Sequence, residues 1–197
     1  LCCSTRDGKD IRVWAASAIG ILGQANISEA PTPFRAIPMA HFIDFTSIHA
    51  LCLVMGADKK DVAVMGRGDG MIAWRPDDVN AYARTMSVHS GEVKALVSHD
   101  LSGYDGRFSL IASLAEDNAV ALLTYDNRQI KMHLLSKVSL NVPNARIISF
   151  ASCNIKSTVY VVVAGDGVEV VGFCRKKVGP CALKKIANDS ATDTMKD

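Results

Sequence analysis

The feature that most constrains this chain is a pattern that recurs along it with different residues. In its fullest form it runs from Trp74 through Arg84-Thr85 to Ser87-Val88-His89-Ser90-Gly91-Glu92-Val93 and Ala95-Leu96. An apolar run, Leu110-Ile111-Ala112-Ser113, follows, and then a tight turn at Glu116-Asp117-Asn118. Turn signals return at Asp7-Gly8, Gly68-Asp69-Gly70 and Gly165-Asp166-Gly167, and apolar pairs open new units at Ala50-Leu51, Ala95-Leu96 and Ile147-Ile148. The spacing is roughly 45–50 residues, the length of a repeat that cannot bury its own apolar faces and must stack on its neighbours.

Within each unit the pattern is of short strands and turns. Leu1–Thr5 and Asp10–Ala16 flank Arg6-Asp7-Gly8-Lys9 as a hairpin ending near Trp14. The stretch 17–35, with Gly20, Gly23, Pro31 and Pro33, is expected as a long loop holding at most a short strand at Ile19–Leu22, and Ala36–Ile43 as an outer strand. The second unit, 44–88, offers strands at Ile48–Met55, Asp61–Gly66, Met71–Trp74 and Ala81–Val88. The third, 89–140, offers Val93–Ser98, Ser109–Ala115, Ala119–Tyr125 and Gln129–Val138. The fourth, 141–186, offers Arg146–Ser152, Thr158–Ala164, Val168–Cys174 and a weak strand near Ala182–Ile186, and the polar tail 187–197 is expected to be disordered. Four strands per repeat of this length predict an all-β fold: a partial β-propeller of about three and a half four-stranded antiparallel blades, the first of them incomplete over 1–43.

Composition narrows the function classes. A formal charge of +2 over 197 residues gives no global attraction to nucleic acid. No window approaches the length of uncharged apolar sequence that a membrane span needs. Of six cysteines, Cys2, Cys3, Cys52 and Cys174 lie in apolar strand segments, and none forms a Cys-x-x-Cys pair. Cysteine used as a small buried hydrophobe fits a reducing, intracellular compartment, cytoplasmic or nuclear. Leu1-Cys2-Cys3-Ser4 reads as the inside of a strand, so the chain is expected to be the C-terminal part of a longer propeller whose remaining blades lie upstream.

The residues resemble the WD40 repeat family over about 1–175. Leu110-Ile111-Ala112-Ser113 before Asp117, the interval from Trp74 to His89-Ser90-Gly91-Glu92-Val93, and Ile11-Arg12-Val13-Trp14 after Asp7-Gly8 carry the resemblance. It implies a hydrogen-bonded group that clips the loops of each blade: His89, Ser113 and Asp117 in the third unit, Asp69 and Trp74 in the second, Asp7 and Trp14 in the first. Asp44 and Asn141 stand in the His slots of the second and fourth units, and Leu123 is near the Trp slot of the third. The resemblance also implies a non-enzymatic scaffold that docks other protein subunits inside a multi-subunit complex.

Other constellations are weaker. Gly66-x-Gly68-x-Gly70 is followed by a strand rather than the helix a phosphate loop needs, so it reads as a turn, as does its embedded Arg67-Gly68-Asp69. His41, His49, His89, His99 and His133 show no ligand spacing, and no metal or cofactor is expected. Ser113, His89 and Asp117 are hydrolase residue types without a nucleophile elbow, and no enzyme activity is expected. Arg175, Lys176, Lys177, Lys184 and Lys185 form the densest basic segment, which supports an alternative reading as an RNA-associated propeller subunit of the ribosome-biogenesis or tRNA-modification type.

Overall fold

The computed structural model describes residues 2–6, 10–17, 21–26, 33, 35–36, 46–56, 60–76, 82–100, 108–151 and 158–174. They form β-strands and turns and no helix, so no helix among them is long and apolar enough to cross a membrane. The first sheet comprises β1 (Cys2–Arg6), β2 (Asp10–Ala16), β3 (Leu22–Asn26) and β4 (Arg35–Ala36). The second has β5 (Ile48–Met55), β6 (Asp61–Arg67), β7 (Met71–Pro76) and β8 (Arg84–Ser87). The third has β9 (Val93–Asp100), β10 (Phe108–Ala115), β11 (Ala119–Asp126) and β12 (Lys131–Ser139), and the fourth β13 (Ile147–Ala151), β14 (Thr158–Ala164) and β15 (Val168–Cys174). Every sheet is an antiparallel meander in sequence order, and the four together are a partial β-propeller.

The first sheet departs from expectation. Residues 17–35 are not simply a loop, because β3 lies inside them and pairs with β2 from Arg12↔Asn26 to Ala16↔Leu22. Glycine and proline density signals a loop, but Leu22 is fully buried beside Trp14, and that burial fixes a strand which composition alone does not reveal. The strand begins at Leu22 rather than ending there. In the fourth unit three strands are described, and the expected strand at 182–186 and the tail lie outside the described residues.

Three apolar layers lie between successive sheets. Trp14, Leu22, Ile48, Ala63, Met65 and Ala73 join the first to the second. Val62, Val64, Trp74, Val93, Ile111, Leu123 and Tyr125 are among those joining the second to the third. Leu110, Ala112, Leu122, Ile148, Val161 and Phe173 help join the third to the fourth. Neighbouring residues of one strand enter opposite layers: Val62 and Val64 face the third sheet, Ala63 and Met65 the first. A sheet covered on both faces needs continuous apolar sequence, not alternation, which is why β6 holds the run Val62–Met65 and β10 the run Leu110–Ala112. In β5 a register shift between Ile48 and Ala50 lets Ile48 share a layer with Leu51 and Leu53 despite the odd spacing.

The stack also needs room. A Cβ on Gly66 would lie 2.5 Å from Val93 Cγ1 and 2.9 Å from Val93 Cβ, so glycine is what lets β6 approach the inner strand of the next sheet. Gly70 has φ 81° and lies against the His89 carbonyl, whose segment crosses the turn between β6 and β7.

Candidate functional site

The segments that lead into the inner strands cross the turns of the sheets at one end of the stack, and a main-chain bond between segment and turn recurs there. Gly68 N–H donates to Ser47 O at 3.0 Å, Glu116 N–H to Glu92 O at 2.9 Å, and Asp166 N–H to Pro143 O at 3.1 Å. The bond is made of peptide groups, so it forms whatever the side chains are. Around it the second, third and fourth sheets each build a different polar cluster.

In the third sheet the structure brings His89, Ser113 and Asp117 together. His89 Nδ1 lies 3.0 and 3.1 Å from the two Asp117 carboxylate oxygens, and Nε2 lies 2.8 Å from Ser113 Oγ. A carboxylate only accepts, so Nδ1–H donates to Asp117, and the Ser113 hydroxyl donates to Nε2. Ser90 N–H at 3.1 Å and the Lys137 ammonium at 2.8 Å also donate to Asp117, and Lys137 reaches Val88 O at 2.9 Å. Lys137, on β12, is a member of this cluster that the repeat pattern does not identify. Its signal is visible only in the fold, because β12 is the outer strand beside the His89 segment.

Electrostatics follow from burial. Desolvation holds the His89 imidazole below its ordinary pKa, Asp117 opposes the shift, and Lys137 adds to it. For Asp117 burial alone pushes upward, but the bonds from Lys137 and Ser90 and the charge and bond of His89 together hold it below the usual carboxylate value. The three residue types are those of a hydrolytic triad, yet Ser113 is 0 % exposed. Ser113 Oγ also lies 3.5 Å from Ala121 O, inside the same sheet. The cluster locks strand, turn and connecting segment.

The second sheet places its residues differently. Asp69 accepts from Arg67 Nε at 3.0 Å and from Met71 N–H at 3.2 Å, and the buried Arg67 also donates to Thr46 Oγ1 at 2.9 Å. Arg67-Gly68-Asp69 is thus a turn closed by its own ion pair. Trp74 does not join Asp69. Met65 stands four residues before Asp69, where Ser113 stands before Asp117, so no hydroxyl is available to the indole. Trp74 Nε1–H instead reaches the next sheet and donates to Ile130 O at 3.4 Å, an acceptor it shares with Arg84 at 2.8 Å. Trp14 does likewise, donating to Asp61 Oδ2 of the following sheet at 3.3 Å. Asp7 and Asp44 lie outside the described residues. In the fourth sheet Asn141 N–H donates to the buried Glu169 at 2.7 Å, and Asn144 Nδ2–H to Asp166 at 2.6 Å.

Beside these clusters is an open recess of about 400 Å³ lined by His49, Glu92, Lys94 and Arg146. His49 and Lys94 follow the buried Ile48 and Val93 that open β5 and β9, Glu92 directly precedes Val93, and Arg146 lies between the buried Ala145 and the first residue of β13. His49 Nδ1 lies 3.1 Å from Glu92, and Lys94 holds Glu116 loosely at 3.5 Å. Among the described residues no group of His, Cys, Asp or Glu could hold a metal ion. The basic residues Arg175, Lys176, Lys177, Lys184 and Lys185 lie outside the described residues.

No family model matches the sequence, and no curated protein sequence does. Solved structures do. The chain is similar to the β-propeller domain of Cps50 (Swd1) from Myceliophteria thermophila, with TM-score 0.60 and 15 % identity, over 92 % of this chain and 56 % of that one. It is similar as well to a candidate 6-phosphogluconolactonase from Bacteroides fragilis, with TM-score 0.60 and 16 % identity over 93 % and 55 %. A third likeness is to a candidate 6-phosphogluconolactonase from Bacteroides uniformis, with TM-score 0.59 and 13 % identity over 94 % and 55 %. The chain spans little more than half the length of each, and the likeness is one of β-propeller fold.

Proposed function

We propose that this chain is a WD40-type, non-catalytic docking platform for other protein subunits of an intracellular assembly. The observation that carries the reading is the recess where His49, Glu92, Lys94 and Arg146 of three sheets converge in the open. Polar side chains presented on stiff, doubly packed strands can hold a partner in one orientation at little entropic cost. The one set of catalytic residue types is spent elsewhere: Ser113 is sealed, and each hydrogen-bonding group of His89 and Asp117 is engaged internally. The thiol of Cys52 is buried, a use of cysteine that suits a reducing compartment. The similarity to a Swd1 propeller domain is compatible with this role, as an analogy of fold.

Purification of the tagged protein from its own cells tests the reading. The expected result is a defined set of protein subunits in fixed stoichiometry that survives moderate salt. A solitary protein that turns over ester or lactone substrates, with the activity lost in Ser113→Ala, would overturn it.

A further inference from the structure

We infer that the recess between the inner strands binds a carboxylate of an acidic peptide segment, with Arg146 as its principal ligand. The inference deepens the docking reading and rests on it. Among the described residues Arg146 has no hydrogen-bond or ion-pair partner for its guanidinium, although it is exposed beside other charged groups. Lys94 faces the same space, and its 3.5 Å pair with Glu116 joins two side chains 35 % and 54 % exposed, a contact that solvent screens and a ligand can replace. Glu92 is different, because His49 already engages it at 3.1 Å, and Ser47 Oγ fixes the other ring nitrogen of His49 at 2.7 Å.

Lys94 and Glu92 are each engaged by a neighbour, Glu116 and His49, which leaves the Arg146 guanidinium as the unengaged charge of the lining among the described residues. One unengaged guanidinium matches a single carboxylate, which it can bind with two parallel N–H donors. Glu92 and Glu116 repel a dianionic phosphate or a run of phosphodiesters more strongly than a single carboxylate, which favours an acidic peptide over nucleic acid as the occupant. Bulk charge does not create this preference, since the chain as a whole is only +2.

Backbone amide shifts of the full chain provide the test, titrated with blocked Gly-Glu-Gly, blocked Gly-Gln-Gly and inorganic phosphate. The Glu peptide is expected to shift the amides of His49, Lys94 and Arg146 saturably and the Gln peptide to leave them in place. Arg146→Gln should weaken the Glu peptide about tenfold or more, and Lys131→Gln, on the distant start of β12, should leave it unchanged. Equal response to the two peptides, equal loss in the two variants, or saturation by phosphate but not by the Glu peptide would overturn the inference. An assembly that purifies intact with the Arg146→Gln protein would leave the docking reading standing while removing this recess as its site. Absence of any assembly with the wild-type protein would remove the docking reading itself.

Discussion

His89 shows how one residue can be both a strut and a liability. Its folded-state pKa lies below the ordinary 6.5, so on acidification the unfolded chain takes up a proton before the folded one does. Its contribution to stability is therefore complete above about pH 6.5 and declines below it, through the lower folded value. Asp117 acts in the same direction in a more acidic window, below the ordinary 3.8. The wild-type urea midpoint should fall between about pH 7 and pH 5, and His89→Gln should be less stable throughout but with a flatter dependence on pH. Parallel slopes in the two proteins would exclude His89 as the origin. Ile130 is a second residue under stress: a β-branched side chain at φ 53°, with its carbonyl held by Trp74 and Arg84. Ile130→Asn regains about 1–2 kcal/mol of backbone energy and loses about 1 kcal/mol of half-buried packing. Thermal denaturation should find it neutral to slightly stabilising, whereas Ile130→Val keeps the strained backbone and should be destabilised.

At the level of strands, most of the architecture was legible. Ile48–Met55 is a strand as expected, and Ser109–Ala115 lies within Phe108–Ala115. Turns announced by Gly68-Asp69-Gly70 and Glu116-Asp117-Asn118 stand where small and αL-tolerant residues put them, with Asn118 at φ 52°. Leu22–Asn26 was hidden, because its strand identity comes from a tertiary neighbour, Trp14, and not from local propensity. Site chemistry was legible only where one repeat matched the pattern well. Lys137 and Glu169 enter their clusters from neighbouring strands, a relation that spacing along the chain does not encode. Element packing gives its own prediction. Gly66→Ala pushes a methyl into Val93 and Ala50, and overpacking of this kind costs about 1–3 kcal/mol. Val93→Ala in the same chain should recover part of that loss, so the double-mutant cycle measured in urea should be non-additive; strict additivity would place the clash elsewhere.

At the scale of the molecule, the fourth sheet differs from the others. On β15, Glu169, Val171 and Phe173 turn inward, while Val168 and Val170 remain 70 % and 49 % exposed. Val168 stands opposite Ala164, which stands opposite Ile147, itself 65 % exposed, so an apolar strip crosses the three described strands. Such a strip attracts other apolar surface. The 197-residue chain should self-associate with rising concentration in analytical ultracentrifugation, and Val168→Lys with Val170→Lys should reduce association without lowering the melting temperature. A wild-type chain that stays monomeric at high concentration would show the strip to be inert. The recurring bonds Gly68 to Ser47, Glu116 to Glu92 and Asp166 to Pro143 have a different consequence. They are drawn from peptide groups, and every amino acid but proline carries the donor. Descendants of such a protein can exchange the ornaments around each joint and still inherit the joint, so kinship in this architecture outlives spelling.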